Sequence, residues 1–509
     1  MGSRGSIAQS TLLLTVANLA MRGVSILFQI YLTGQIGAAG IGLLQLILTV
    51  HGFAITLGTS GLRVAAMYLS AEEYGLRRFG GIRLAMLWCI GAGLLLSTLV
   101  GAGMAYFSEV LAQVFVKDLQ AAASLRLLGL TLPLTCLSTI LAGYFTASNQ
   151  VKKLVVVEIT DRLATVALTV WLLSLGIPGD QSHACVAIVG GSALASVGSV
   201  GVLLWLLLLD FRRYKKPAEN LDMGKRLVRL CIPIALNDYL RSGLGTLEQF
   251  LIPYGLARCG GSRLKAMADY GTIQGMVFPI LLFPSTVLYA VADLLVPELA
   301  RCRAQRNSIR IRHLAQTCLH MGILFSAMVA GVLYVNAEPL GYLLYKSTDA
   351  GRYLQWFAPL IPMLYLDCIV DGMHKGLGQQ VYCVRVNTLT NLLDVIFLFL
   401  TLPRYGIAGY YFTYFFTHLV NFSLSLLRLL KLTDAAPSGR FLVKTTAIIC
   451  FCIWFIRKFV PTAPNPWAIL VSGGLYLILS ISLLMMFGCW RSTDSHYILD
   501  MISIKKHNP

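Results

Sequence analysis

Along this chain the apolar positions arrive in long unbroken runs. They show neither the one-sided stripe of a globular helix nor the alternation of a half-buried strand. The runs repeatedly reach the ~20 residues that a helix needs to cross a bilayer. About fourteen of them follow one another, from roughly 7–33 to roughly 464–489. Short Gly-rich turns separate several, at 34–42, 176–180, 260–261 and 406–409, and short turns make consecutive helices antiparallel neighbours. Nothing between the runs is long enough to hold a soluble domain. The pattern predicts an all-α integral membrane protein.

One stretch occurs twice. LRLLGLTLPLTCLSTILAGYFTASNQ at 125–150 returns as LQWFAPLIPMLYLDCIVDGMHKGLGQ at 354–379. Pro133 falls on Pro362, Gly143 on Gly372 and Gln150 on Gln379, a constant spacing of 229 that also carries Gly42 to Gly271 and Gln45 to Gln274. Aliphatic coincidences mean little in so apolar a chain, whereas Pro, Gly and Gln in one register point to an internal duplication. The two copies are the fourth and tenth spans, an even number of crossings apart, so both cross in the same direction. The expected architecture is two parallel-repeat six-helix lobes, at 1–209 and 224–430, joined by a polar linker at 210–223. Two additional C-terminal helices and a tail occupy 431–509. Lobes related by an axis along the membrane normal place a substrate site between them near mid-depth.

Composition agrees: 57% hydrophobic and 13% charged residues exclude an ordinary soluble protein. A net charge of +18 suggests nucleic acid until its distribution is considered. With the N-terminus inside, roughly 25 of the 41 Lys and Arg fall on one side and about 10 on the other. That side collects Arg77, Arg78, Lys152, Lys153, Lys215 and Lys216, and the arginines between Arg301 and Arg312. This positive-inside bias puts both termini in the cytoplasm and leaves nucleic acid without a role. The arginine-rich turn at 301–313 also suits the headgroups of membrane lipids. The opening MGSRGS fits a loose myristoylation pattern, but an apolar run without a cleavage site follows at once, which makes it an uncleaved first span. The twelve cysteines are scattered, as small reduced residues between helices would be, and the eight histidines have no ligand spacing. No metal and no cofactor are expected.

An ionisable group at mid-membrane costs about 2.5–3.5 kcal/mol on insertion scales, so each needs a partner or a hydrated cavity. Glu158 and Arg162, Asp371 and Lys375, and Asp238 and Arg241 stand three or four apart, on one helix face, and are expected to neutralise each other. Arg22, near the centre of span one, has no acid in reach along its helix. Arg63 in span two is likewise unpaired locally, and Arg241 lies mid-way along span seven. Pro133, Pro233, Pro279, Pro284, Pro359 and Pro362 fall inside helical runs, where proline removes a backbone bond and kinks the helix. Gln45, Gln249, Asn237, Asn387 and Asn391 are placed to bond across helices or to sugar hydroxyls, and Gly372-x-x-x-Gly376 to make a close helix contact.

Several stretches resemble a known family. They are Met21-Arg22-Gly23, then 35–45 (QIGAAGIGLLQ), Leu247 to Pro253 (LEQFLIP), Tyr270-Gly271-x-x-x-Gly275-Met276, Phe283-Pro284, Leu295-Val296-Pro297, Gly376-Leu377-Gly378 and Gly406-Ile407-Ala408-Gly409. In order and spacing they resemble the polysaccharide-type lipid-linked oligosaccharide flippases of the multidrug/oligosaccharidyl-lipid/polysaccharide superfamily. Within it they are most similar to the stage V sporulation protein B group, which is related to the lipid II flippase. The resemblance covers about residues 7–430. Departures fall at Gln29, Arg63, Tyr68, Gly255 and Asp293, where the family carries other residue types.

The resemblance implies a non-enzymatic transporter of the bacterial inner membrane. It would carry a polyprenyl-pyrophosphate-linked sugar precursor, lipid II-like or a polysaccharide unit, to the outer leaflet by alternating access, for cell-wall, spore-cortex or envelope polysaccharide synthesis. Arg22, at a position usually basic in the family, joins Arg63 and Arg241 as the expected headgroup site, because guanidinium is planar, permanently charged and binds phosphate oxygens in pairs. Glu248, Asp293 and Asp394 would hold those arginines or bind a coupling Na+ or H+. The two extra spans would form a groove for the lipid tail or stabilise the second lobe. Two alternatives are a cation-coupled multidrug antiporter, which a cavity of unpaired arginines disfavours, and a non-transporting scaffold for envelope or spore assembly. A membrane transferase needs an acid or base on a sizeable outer loop, and the longest such loop, 337–352, holds only Glu338 and Asp349.

Overall fold

The computed structural model describes residues 4–490 apart from 77, 149, 176–180, 214–221, 261, 436–437 and 461–462, and leaves out the side chains of 4–18, 181–182 and 213. The opening of the chain, Arg77, Lys215, Lys216, the Gly-rich turn at 176–180, most of the linker and the tail from 491 therefore lie outside the described residues.

Among the described residues there is no strand. Nine helices among the described residues are long and apolar enough to cross a membrane, or ten when the pair Arg263–Leu282 and Ser285–Ala304, bent by 59°, is one span. Leu19–Gly75 and Gln380–Thr433 run for 57 and 54 residues, about 80 Å each at 1.5 Å per residue, twice what one crossing needs. Each turns inside its length at a glycine, Gly37 (φ 69°) and Gly406 (φ 56°), in the left-handed region that side chains disfavour. The protein is a multi-pass membrane protein. Of the expected proline kinks, the sharp bend falls at Phe283–Pro284, whereas the helices continue through Pro133 and Pro233.

The chain packs as two compact units, Gln35–Tyr254, and Met1–Gly34 with Gly255–Pro509. This grouping differs from lobes at 1–209 and 224–430. The Met223–Arg258 helix packs with the former unit, and the start of the first helix with the latter. In the first unit Leu62, Leu69, Ile82, Met86, Ile140, Tyr144, Phe145, Leu203 and Leu207 form a buried core. Helices approach at small residues: Gly101 and Gly129 face each other so closely that a Cβ on either would overlap the other's carbonyl oxygen, the backbone contact that small residues permit between membrane helices.

In the second unit the two additional helices, Gly439–Phe459 and Pro466–Met486, pack against Ser308–Val335 through Leu324, Met328, Ile448, Cys452, Ile456 and Leu484. Tyr476, fully buried, lies on Gly331, and Ser472 donates to the side-chain oxygen of Asn336.

The duplication extends far beyond the stretch that announces it. At the spacing of 229, Leu76 N–H to Glu72 O becomes Gln305 N–H to Arg301 O, both 3.0 Å. Arg78 to Glu73 becomes Asn307 to Cys302, Phe107 to Gly103 becomes Asn336 to Val332, and Asp118 to Ala112 becomes Ser347 to Gly341. Gln150 to Phe145 becomes Gln379 to His374. Lys117 and Lys346, both in the left-handed region (φ 57° and 50°), are partners as well. Backbone turns at both ends of two successive spans, Phe79–Tyr106 and Ala121–Ala147, therefore recur without an insertion or a deletion.

Candidate functional site

Gly61 separates the first long helix from Leu62–Gly75. Its φ of 77° suits glycine, and a Cβ there would meet the Cys231 main chain at 3.0 Å. The Met223–Arg258 helix thus lies directly on this break. It is tied there twice more: Tyr239 donates its hydroxyl to the Leu57 carbonyl (3.1 Å), and Ser60 donates to Asp238 Oδ2 (2.6 Å). One turn further on is Arg241. A cavity of about 360 Å³ opens here, lined by Ile55, Thr56, Thr59, Ser60, Asp238, Arg241 and Ser242.

The expected Asp238–Arg241 pair is not an ion pair. Their spacing puts both on one face, but Asp238 takes its hydrogen from Ser60 across the helix boundary, and Arg241, exposed to the cavity, makes no ion pair among the described residues. Thr56 and Thr59 return their hydroxyl hydrogens to the Gly52 and Ile55 carbonyls, which fixes their orientation. The result is a guanidinium and a carboxylate, not paired with each other, set among hydroxyls. The guanidinium supplies charge and a planar fork of donors together, the chemistry that binds an oxyanion.

The remaining expected residues take other positions. Arg63 is exposed, does not line this cavity, and has the Glu158 charge within electrostatic range. Arg22 Nη1 donates to Thr286 Oγ1 at 3.0 Å, and Thr286 donates in turn to the Phe283 carbonyl at 2.7 Å. Arg22 thus fastens the first helix to the bend at Pro284. Glu248 follows Arg241 by two turns on the same helix and is half-buried. Asp293 is exposed on Ser285–Ala304. Asp394 is 6% exposed and accepts from Thr417 Oγ1.

Two groupings escaped sequence reasoning. Arg226 bridges Glu72 and Glu73, at 3.1 Å from the fully buried Glu73. Its signal was available, two adjacent acids at a span end otherwise crowded with Lys and Arg. The second is a buried file of polar residues in the second unit. Thr401 bonds Thr413 (2.9 Å), Thr390 donates to Asn421 (3.3 Å), and Asn421 donates to Asp367 (3.2 Å). Thr413, Thr417, Asn421 and Ser425 recur every four residues, a polar stripe on one helix face.

A family model described as "Polysaccharide biosynthesis protein" matches residues 7–289, and one described as MatE matches 260–400. The chain is 22% identical over 422 residues to stage V sporulation protein B of Bacillus subtilis (strain 168), covering 80% of each. Its fold is that of the lipid II flippase MurJ in an inward closed conformation (TM-score 0.69, 12% identity, 94% of this chain and 98% of that one). It is also that of an inward-facing multidrug resistance MATE family transporter (TM-score 0.62, 14% identity, 82% and 96%). Matched over more than half its length, the chain belongs to the polysaccharide biosynthesis protein family of the multidrug/oligosaccharidyl-lipid/polysaccharide superfamily.

Proposed function

We propose that the protein is a flippase that moves a polyprenyl-pyrophosphate-linked sugar precursor from the inner to the outer leaflet of the bacterial cell membrane. The observation that carries this reading is the Arg241 cavity. It offers a guanidinium that makes no ion pair among the described residues, with several hydroxyls and the Asp238 carboxylate beside it, donors and acceptors that suit a pyrophosphate with sugar attached. Family membership supports the same class of cargo. Arg22, bonded to Thr286, and Arg63 do not line this cavity, so the headgroup rests on Arg241 in this reading, and Glu248, Asp293 and Asp394 hold charge balance or a coupling cation.

The proposed topology has fourteen crossings, with both termini cytoplasmic. That count is reached by taking the bent pair Arg263–Leu282 and Ser285–Ala304 as one span and each of the two long broken helices as two, and adding the charged helices Val151–Ser174 and Met223–Arg258. Spans one to six and seven to twelve act as the two lobes of an alternating-access cycle. The two additional helices brace the second lobe through Gly331 and Asn336. An inside-negative potential favours export of an anionic headgroup, worth about 2.3 kcal/mol per charge per 100 mV.

A leaflet-resolved assay of labelled lipid-linked precursor in vesicles containing the purified protein tests this. Arg241→Ala is expected to lower the rate of appearance in the outer leaflet at least ~10-fold with unchanged protein yield and Tm, and Arg241→Lys by less. Flipping at the wild-type rate in Arg241→Ala removes the cavity from the mechanism, and no flipping by the wild type removes the function.

A further inference from the structure

The arginine-rich turn between Ser285–Ala304 and Ser308–Val335 has no part in the function proposed above. At the spacing of 229 it duplicates the turn at 72–84, and the two share their backbone. Leu76 N–H on Glu72 O matches Gln305 N–H on Arg301 O, and Arg78 N–H on Glu73 O matches Asn307 N–H on Cys302 O. Their charges differ. Residues 72–84 hold two acids and three arginines, a net charge of +1, and Arg226 bridges both acids. Residues 301–313 hold five arginines and no acid, a net charge of +5. The same turn forms at either charge, so folding does not call for the added cations. Nor does orientation in the membrane, since three arginines already mark the side of the bilayer in the first copy.

The second turn also arranges its arginines. Glu298 accepts from Arg310 Nη2 at 2.5 Å and has Arg301 Nη1 at 3.8 Å, so guanidinium groups from two successive helices stand on one carboxylate. The two arginine side chains are 59% and 76% exposed, and the other donors of each planar fork remain for a second anion. At these positions the first copy has Leu69, Glu72 and Gly81, so the arrangement belongs to the second turn alone. Arg306 and Arg312 are exposed and make no ion pair among the described residues. Arg303 instead donates to the Leu377 carbonyl at 2.7 Å, which ties the turn to the end of Ile361–Gly376. Among these cations stands Ile309, 82% exposed, where the first copy has the buried Gly80. The 28-residue helix Ser308–Val335 is about 42 Å long, more than the ~30 Å of hydrocarbon and close to the ~40–45 Å that includes the headgroups. Its first turn therefore lies at headgroup depth.

We propose that this turn is a binding site for the headgroup of an anionic phospholipid. Arg301 and Arg310 hold the phosphodiester, Arg306 and Arg312 surround it, and Ile309 meets the acyl chains. Two phosphate oxygens match a guanidinium fork. Exposed arginines with an aliphatic side chain between them, at the depth of the phosphates, are the combination that an anionic membrane surface attracts. The bound lipid fixes one end of Ser285–Ala304, whose other end is the bend at Phe283–Pro284, and through Arg303 it steadies the end of Ile361–Gly376. The topology proposed above puts the site in the inner leaflet; the site itself does not rest on the flippase reading.

Photolabelling of the full-length protein in vesicles of phosphatidylcholine and phosphatidylglycerol reads the site without cargo. The probe is phosphatidylglycerol with a photoreactive group beside its headgroup. Adducts are expected at residues 301–313, and raising the salt from ~0.1 to ~1 M should weaken them severalfold. Arg301→Gln/Arg310→Gln should lower them at least ~5-fold. Arg306→Gln/Arg312→Gln, which breaks no ion pair of the folded protein, should lower them severalfold at the wild-type Tm. Arg78→Gln/Arg83→Gln in the duplicate turn should leave them unchanged. Glu298→Gln is decisive, because it raises the local positive charge while releasing the two arginines that Glu298 gathers. A built site labels more weakly in that variant, and stronger labelling overturns the site in favour of diffuse attraction. Equal labelling by a phosphatidylcholine probe also overturns it. Competition by inorganic pyrophosphate would make it a general phosphate site, and displacement by a lipid-linked sugar precursor in preference to phosphatidylglycerol would make it a cargo site; either result overturns the phospholipid assignment.

Discussion

Gly143 lies against the main-chain carbonyl of Arg63, close enough that a Cβ would stand 2.5 Å from the oxygen. Its duplicate Gly372 lies against Ala292, where a Cβ would stand 2.8 Å from the Ala292 Cβ and 3.1 Å from its carbonyl oxygen. Backbone cannot yield as a side chain can, so Gly143→Val should lower stability by about 1–3 kcal/mol, read as a fall in Tm in lipid nanodiscs. Gly372→Val should cost less, since its neighbour is further away. Equal and negligible effects would mean that the two helices are not held at this distance.

Arg226 holds Glu73, whose side chain is fully buried, and Glu72, which is 39% exposed. Removing Arg226 strands a buried carboxylate, whereas losing Glu72 breaks a solvated pair. Arg226→Ala is therefore expected to cost about 3 kcal/mol and Glu72→Ala under about 1 kcal/mol. A double-mutant cycle of Arg226 with Glu73, read by Tm, should give the larger coupling, and a larger coupling to Glu72 would reverse the assignment.

At the Gly61 break, Gly61→Ala meets two obstacles, a left-handed φ and the Cys231 backbone at 3.0 Å. A loss of about 1–3 kcal/mol is expected. Ser60→Ala removes the donor to Asp238 without adding bulk. It should cost about 1 kcal/mol and free Asp238 to attract Arg241, which under the proposed function slows flipping severalfold. Substrate flipping at full rate in Ser60→Ala would show that Arg241 is not released from its task by that carboxylate.

The Tyr476 hydroxyl is buried with no hydrogen-bond partner among the described residues, and it lies on Gly331. Tyr476→Phe removes a polar group that is not satisfied, so Tm should hold or rise, while Tyr476→Ala leaves a cavity costing about 3–5 kcal/mol. A fall in Tm for Tyr476→Phe comparable to that of the alanine variant would mean the hydroxyl is bonded after all. The pair measures how firmly the two additional helices are held.

The spans, the duplication and the small-residue contacts were legible because each depends on local rules. A run of ~20 apolar residues, a repeated Pro-Gly-Gln register and a Gly-x-x-x-Gly all read from spacing alone. The partners of the charges were not legible. Asp238 and Arg241 share a face, yet Ser60, far away in sequence, takes the carboxylate. Arg22 meets Thr286, more than half the chain away, and Arg63 lies within electrostatic range of Glu158.

By itself, then, the sequence determined that the chain is an all-helical membrane protein built on a doubled unit, because burial in lipid dictates long apolar helices one span at a time. Only tertiary structure decided which ionisable groups stay uncompensated. A charge in a membrane is settled by whichever helix face is packed against it, and periodicity within one helix carries no information about its neighbours. That is why Arg241 remains as the exposed cation of a cavity, and why Asp238, three residues before it, is bonded to Ser60 instead.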